Sequence, residues 1–399
     1  MKLLIIPSLY PAFDDDNTGV FVRDQSRLLA QAHDVTVMVP RLVTARTLLG
    51  RTLRGRGDPA SRLTAYTGPL TEIPVSILNV SNRWESLTRR RWRSRVEKRA
   101  AQLVATGVVP RPDIVHAHIV QPAGGVAAAL ARRWQSKAVL TEHSGPFSVH
   151  LQTGAKRCAA HAALHAMDAV VAVSPFLAAE ISAAFPGIAP LVVGNVVDDA
   201  FFTPGLAEIA RAPRQPFRFL FVGGLTWHKG VAYLLEAAAA LRHAAGAGWQ
   251  LVIVGNGPDR AALERQVSAA GLQGQVVFTG SLSRSGVRAW MRSSDVLVQP
   301  SVIETFCVVL IEAMACGIPV IATACGGPSW VVRPEGGALV PSRDAAALAR
   351  AMHEASQGSL TRTREEIRLA CVSRFGRAAW QLDMERVYRG VMGDGVKSE

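Results

Sequence analysis

Val296-Leu-Val-Gln-Pro-Ser-Val-Ile-Glu-Thr-Phe-Cys-Val-Val-Leu-Ile-Glu-Ala-Met-Ala-Cys-Gly-Ile-Pro319 reads as one strand, one turn and one helix. Val296-Leu-Val298 is a short buried strand, Gln299-Pro300-Ser301 its exit, and Phe306 to Ala315 a helix stopped by Gly317 and Pro319. The same strand, polar exit and Ala- or Leu-rich helix recur around Phe219-Leu-Phe-Val-Gly-Gly-Leu-Thr-Trp-His-Lys-Gly230. Leu251-Val-Ile-Val-Gly-Asn-Gly-Pro258 and Val276-Val-Phe-Thr-Gly280 add two more strands with glycine at their ends. This alternation from Phe217 to Leu348 predicts a doubly wound parallel sheet, whose ligands bind beyond the carboxyl ends of the strands.

The first half uses the same alphabet. Lys2 to Ile6 is a strand closed by Pro7, too short an apolar run for a signal peptide. A loop from Pro11 to Gly19 leads to a helix over Val20 to Ala30, with further strands at Val35 to Val39, Asp113 to His118, Ala138 to Leu140 and Leu191 to Val193. A chain of 399 residues is long enough for two such cores. The expected division is 1–197, 198–373 and a C-terminal amphipathic helix, read over Arg374 to Val391, in 374–399.

Two carboxylates, Glu304 and Glu312, interrupt the apolar run, where charge is costly without a partner. At about 1.5 Å rise per residue they would lie roughly 10 Å apart along the helix axis. Between them, the free amides around Cys307 to Val309 carry the positive end of the helix dipole and suit an anion. Carboxylate, anion seat, carboxylate matches a sugar, a diphosphate and a ribose. An ordinary helix with one exposed and one salt-bridged glutamate is the plainer reading of the same spacing.

The segment resembles the retaining glycosyltransferase family numbered four, whose signature is a Glu-x7-Glu element, and the resemblance runs over essentially the whole chain. It implies a GT-B fold: two Rossmann-like doubly wound domains facing across a cleft, the acceptor side N-terminal and the nucleotide-sugar donor side C-terminal. It gives Glu304 to the donor sugar and Glu312 to the ribose, with Phe306, Cys307, Val308 and Val309 lining the donor. The family usually has glycine where this chain has Cys307. The Gly223-Gly224 loop resembles the family's phosphate loop, in which an arginine and a lysine clamp the diphosphate. Lys229 is present, but Gly224 stands in the arginine position, a loss worth about 1.5 to 3 kcal/mol of donor binding unless another cation, such as His228 or Arg284, substitutes. By the same resemblance Ser281 and Leu282 face the nucleobase, Gly19 approaches the donor phosphate, His118 lies near the donor sugar, and Glu142 or His143 is a candidate to polarise the acceptor hydroxyl, the plainer alternative being a loop held by hydrogen bonds. His116, on the same strand face as His118, is expected to pack beneath it. The catalytic set is therefore His118, Lys229 and Glu304. No cofactor beyond a UDP- or GDP-sugar, and no metal, is expected.

Composition adds a partner question. The net charge is +13, residues 41–56 hold five arginines and no acid, and residues 83–99 hold eight basic residues against Glu85 and Glu97. Trp84, Trp92, Val96 and Ala100 fall near one helical stripe, which suits either an anionic membrane surface or packing into the domain. Asp14-Asp15-Asp16 reads as a solvated acidic loop. The longest apolar stretch, Ala159 to Ala179, contains His161, His165 and Asp168 and does not suit a bilayer span. Five cysteines without a Cys-x-x-Cys pair fit a reducing compartment. The reading is a cytoplasmic enzyme, peripheral at most on the inner membrane face, that glycosylates a glycan or lipid-pyrophosphate acceptor and binds no nucleic acid. A sugar-nucleotide epimerase of the same fold and a non-enzymatic basic binding protein are the alternatives.

Overall fold

The computed structural model describes residues 1–11, 18–44, 64–65, 70–79, 85–205, 216–245 and 248–393. The acidic run Asp14–Asp16, the four arginines of the 41–56 segment after Arg41, and Trp84 lie outside the described residues.

The chain forms two compact units: Met1–Val173 with Leu177–Val193 and the residues from Gln381 onward, and Gly194–Trp380 with Ser174–Phe176. In the first, β1 (Lys2–Pro7), β2 (Asp34–Thr44), β3 (Thr64–Ala65), β4 (Leu70–Asn79), β5 (Ile114–His118), β6 (Lys137–Glu142), β7 (Ala169–Ala172) and β8 (Leu191–Val192) make one sheet. Its order is β3-β4-β2-β1-β5-β6-β7-β8, parallel throughout except for the short edge strand β3. The strands at its centre are apolar because helices cover both faces: Leu3 to Ile6 and all of β5 are buried.

The second unit contains β9 (Phe217–Val222), β10 (Trp249–Val254), β11 (Val276–Gly280), β12 (Val296–Gln299), β13 (Val320–Thr323) and β14 (Gly337–Val340). All are parallel, in the order β11-β10-β9-β12-β13-β14. Strand order reverses between β9 and β12 here, and between β1 and β5 in the first unit. At such a switch point the connections leave in opposite directions and open a crevice at the strands' carboxyl ends.

Both units are thus parallel α/β sheets, as the strand pattern requires, with shifts at several boundaries. The helix expected from Phe306 begins at Val308, after Cys307 in a left-handed conformation (φ 74°). Glu304 is therefore off the helix, and only four residues separate Val308 from Glu312, about 6 Å of axis. Lys229 lies in a 3-10 turn, Trp227–Lys229, ahead of the helix Val231–Ala245. The C-terminal helix expected from Arg374 is two helices, Arg364–Phe375 and Arg377–Met392, because Gly376 between them is extended (ψ 166°).

From Gln381 that last helix is part of the first unit. Met384, Val387 and Tyr388 are buried; Gln381 Nε2 donates to the Leu28 carbonyl at 3.1 Å and Glu385 meets His33 at 2.5 Å. Tyr388 is fully buried and its hydroxyl lies 2.8 Å from His116 Nδ1. In the arginine-rich helix Glu85–Ala105, Trp92, Val96, Ala100 and Leu103 are buried, so its described apolar stripe packs inward. No helix among the described residues is long and apolar enough to cross a membrane.

Tyr388→Phe removes one hydroxyl and leaves a buried imidazole nitrogen without its partner, at a cost of about 1–3 kcal/mol. The urea midpoint should fall accordingly, with the m-value unchanged.

Candidate active site

The second unit's site is built at its switch point. Lys229 follows β9 and Glu304 follows β12, the two strands on either side of the reversal. Their side chains meet there, Lys229 Nζ to Glu304 Oε1 at 2.5 Å, both largely shielded from solvent. The same carboxylate oxygen accepts from Ser301 Oγ at 3.0 Å, and Ser301 Oγ accepts from Gln299 Nε2 at 3.1 Å. Gln299 and Ser301 are buried, so this relay runs from the strand end to the carboxylate through the protein interior.

The backbone of Glu304 is fixed as firmly. Its amide donates to the Cys325 carbonyl at 3.2 Å and its carbonyl accepts from Gly327 N at 2.8 Å. Gly326 has φ 118°, and a β-carbon there would stand 2.6 Å from the Glu304 carbonyl oxygen and 2.9 Å from the Phe176 ring. Only glycine permits that backbone and that approach together.

Burial by itself lowers the pKa of the Lys229 ammonium, but the adjoining Glu304 carboxylate outweighs it and the pKa ends above the ordinary lysine value. The Cys307 thiol is pushed well up by burial and then by Glu304, and Cys325 is raised to about 11, first by burial. Both thiols are protonated at neutral pH and neither is a thiolate nucleophile. The positive φ at Cys307 explains why glycine suits the position.

Other expected donor residues are distributed along the same rim. Val308 and Val309 open the helix and are half-buried, whereas the Phe306 ring is turned into an aromatic cluster with Phe375 (5.5 Å) and Trp330 (6.1 Å), leaving only its main chain at the turn. Glu312 is half-buried one turn into the helix. Gly223 closes on Val254 through a 3.0 Å backbone hydrogen bond, and Gly224 is exposed. A β-carbon at Gly224 would meet nothing closer than the Asn256 carbonyl at 4.0 Å, so a side chain has room there. Ser281 and Leu282 follow β11, two strands from β9.

Of the two cations considered as substitutes for the missing arginine, Arg284 is engaged elsewhere, over the Phe201 and Phe202 rings and 4.0 Å from Asp198. His228 neighbours Lys229 and is held below the usual histidine pKa by burial and by that ammonium. Arg260 was not singled out by the sequence: it reaches within 3.5 Å of the β-carbon position of Gly280, on the rim that carries Ser281. Its position after Gly255-Asn256-Gly257 at a strand exit was the available signal.

In the first unit the switch point carries the histidines. His116 and His118 share one face of β5, their rings stacked at 4.4 Å. His116 is held on both nitrogens, by Tyr388 and by Thr141 Oγ1, each at 2.8 Å. His118 Nδ1 lies 3.0 Å from His143 Nε2, while its Nε2 is buried with no protein partner. Burial depresses both imidazoles, His116 to about 3 and His118 well below the normal value, so both are neutral. Gly19 caps the helix Val20–Leu29 in a left-handed conformation (φ 71°), and a β-carbon would meet the Leu9 carbonyl at 2.6 Å. β6 extends through Glu142, whose carboxylate is fully buried and accepts from the amides of Val120, His143 and Ser144 at 2.7–2.9 Å. That carboxylate ties two strand exits together, which replaces the expectation that it polarises an acceptor hydroxyl. Among the described residues no group of three or more His, Cys, Asp or Glu side chains could hold a metal ion.

Comparison with known proteins agrees with this architecture. The family described as "Glycosyltransferase Family 4" matches residues 18–201, and "Glycosyl transferases group 1" matches residues 206–368. A Bacillus subtilis protein named for a glycosyltransferase of teichuronic acid biosynthesis is 29% identical over 370 residues, 88% of either chain. The D-inositol 3-phosphate glycosyltransferase of Arthrobacter is 33% identical over 241 residues, 56% of either chain. Among solved structures, sucrose-phosphate synthase from Thermosynechococcus elongatus superposes with a TM-score of 0.79 at 22% identity, covering 99% of this chain and 100% of its own. An Anabaena protein solved with UDP gives 0.72 at 17% identity, covering 98% and 100%. The chain is a glycosyltransferase of the GT-B fold. It is an enzyme of the GT4 type, with one family match in each of its two sheets, and its activity is of the hexosyltransferase class.

His116 and His118 have folded-state pKa values below that of an unfolded histidine, near 6.5. The unfolded chain takes up protons that the folded chain refuses, so stability is full above about pH 6.5 and falls on acidification. The slope is about 1.4 kcal/mol per pH unit for each histidine, and for His116 it persists down to about pH 3. Urea midpoints between pH 7 and pH 5 should show it, and His116→Asn should reduce it.

Proposed function

We propose that this enzyme transfers a sugar from a nucleotide-diphosphate donor, a UDP-sugar or GDP-sugar, to a hydroxyl of a glycan or lipid-pyrophosphate acceptor, with retention of anomeric configuration. The observation that carries the reading is the Lys229–Glu304 contact at the β9/β12 switch point, beside the amino end of the helix Val308–Ala315. The UDP bound by the Anabaena structural neighbour supports a uridine donor.

In this reading the bond from the anomeric carbon to the diphosphate oxygen breaks and the acceptor oxygen takes its place. Negative charge develops on the departing diphosphate, where Lys229 and the amides of Cys307 to Val309 stabilise it by fixed dipoles and charge. Glu304, held by Ser301, positions the sugar ring, and Glu312 takes the ribose hydroxyls. Ser281 and Leu282 offer main-chain groups to the base. From the N-terminal domain, Gly19 lets backbone approach phosphate, and the unpartnered Nε2 of His118 offers a neutral hydrogen-bonding group to a sugar hydroxyl. No step in this scheme calls for a metal. The exposed Arg90, Arg93 and Arg95 are proposed to give the N-terminal domain an electrostatic attraction to anionic membrane.

UDP at a hundred times its Kd should stabilise the protein by about 2.7 kcal/mol, read as a rise in Tm that GDP and ADP do not match if the donor is uridine-linked. Lys229→Ala should abolish most of that rise and Glu304→Ala should lower kcat by at least about a hundredfold, both variants remaining folded. Wild-type turnover in both sinks the assignment.

Gly224 is exposed and lacks a positive φ, so arginine fits there without backbone strain. Gly224→Arg should tighten UDP binding by about 1.5–3 kcal/mol, roughly tenfold or more in Kd by calorimetry. No change would show that the phosphate lies elsewhere.

A further inference from the structure

The N-terminal domain holds a second cavity, of about 700 Å³, among the helices Glu85–Ala105, Gly125–Trp134 and Gly154–His165. That volume falls within the range of about 300–1,000 Å³ typical of small-molecule sites. One end is lined by Val120, Gln121 and Pro122, immediately after the strand that carries His118; the other by Ser136, Ala138 and Asp168, where β6 and β7 begin. The groove therefore runs the length of a five- or six-residue strand, about 16 Å at 3.3 Å per residue.

Its walls are short and apolar. Ala155, Ala159, Ala162 and Ala166 recur at helical spacing along one side and are exposed, and Ala128 and Ala129 face them from the other helix. Its charge is uneven. Arg93 lies over Gly125 so closely that a β-carbon there would come within 3.0 Å of its guanidinium. Gln121 Nε2 donates to the Lys156 carbonyl at 2.6 Å, and Arg89 and Lys156 act electrostatically on His150, which sits 3.0 Å from Ser144 at the exit of β6 and 3.8 Å from the Glu142 carboxylate, a charge already committed to three backbone amides. Three cations thus surround the end next to the strand exits. At the far end Asp168 pairs with Lys137 at 3.0 Å, leaving Arg132 as the one lining cation there among the described residues. A groove that is cationic at one end and alanine-lined along its length complements an amphiphile with an anionic head and a flexible hydrocarbon chain.

We propose that this groove receives the hydrocarbon chain of a phosphate-headed lipid acceptor, with the phosphate against Arg89, Arg93 and Lys156 and the chain along the alanines. This rests on the acceptor reading above and narrows it to lipid-linked acceptors. An alkyl phosphate carries between one and two negative charges at neutral pH and supplies strong acceptor oxygens to these cations. A half-open groove buries about half of each methylene, so affinity should rise by about twofold per carbon, against about fourfold for full burial.

The test is calorimetric titration of the full chain with hexyl, octyl and decyl phosphate, each below its critical micelle concentration. The expected result is one saturable site whose affinity climbs with chain length. Ala159→Trp, which fills the trough from an exposed position, and Arg93→Glu, which reverses the head-group charge, should each weaken decyl phosphate by at least tenfold. The UDP-induced Tm rise should be unchanged in both. The proposal is overturned if inorganic phosphate binds as tightly as decyl phosphate, if a decyl glucoside matches it, if both variants bind like wild type, or if only anionic phospholipid vesicles bind. Failure with the UDP response intact removes the groove and leaves the donor reading standing; binding of decyl phosphate without any nucleotide response removes the donor reading and leaves the groove.

Discussion

The second unit of this enzyme is organised around one ion pair placed where its sheet changes direction. Lys229 and Glu304 come from connections that leave β9 and β12 in opposite senses, and their contact closes the crevice that this reversal opens. Taking two charges out of water is costly unless further hydrogen bonds assist them. Here Ser301 and Gln299 supply those bonds, and the Gly326 turn clamps the main chain of Glu304 so that the carboxylate has little freedom. Much of the local sequence, including two adjacent glycines at 326 and 327 and a small hydroxyl at 301, serves to hold this one oxygen atom. The lysine is a cation with a built-in counterion.

The first unit holds neutral imidazoles at the equivalent place. Its switch point between β1 and β5 holds a column of imidazoles kept neutral by burial, and its one buried carboxylate there, Glu142, is used up on three backbone amides. Hydrogen-bonding capacity remains there at the buried Nε2 of His118. Trp92 illustrates how the arginine-rich helix divides its labour: its ring belongs to the core, while Arg90, Arg93 and Arg95 are exposed.

Much of this was legible in the sequence, though unevenly. Strand, glycine and helix recur with a period short enough to read locally, so the parallel sheets and the rim positions of Gly223, Gly280 and Glu304 followed from the pattern. Their roles came from resemblance to a family. What pattern could not reveal was the set of contacts that cross long stretches of chain: Tyr388 to His116 spans 272 residues, and no periodicity encodes such a bond. The relay through Gln299 and Ser301 was hidden for another reason, since a polar strand exit looks the same whether its hydroxyl points to solvent or to a carboxylate. At Glu142 the sequence leaves two readings open, because a buried carboxylate that satisfies main-chain amides and one that faces substrate look alike locally; the structure shows the first. Cys307 was seen as a departure from glycine; only its backbone angle says what glycine would be doing there.

The N-terminal domain is not a continuous piece of chain. Its sheet is complete by β8, yet the tyrosine that orients the buried histidine column arrives with the final helix, after the whole second unit has been synthesised. Recombining this unit with another C-terminal domain therefore takes two crossovers rather than one. A graft that ends after β8 would carry every strand of its sheet but import a foreign helix beneath His116, while a graft that also takes residues 381–392 would move the histidines together with their support.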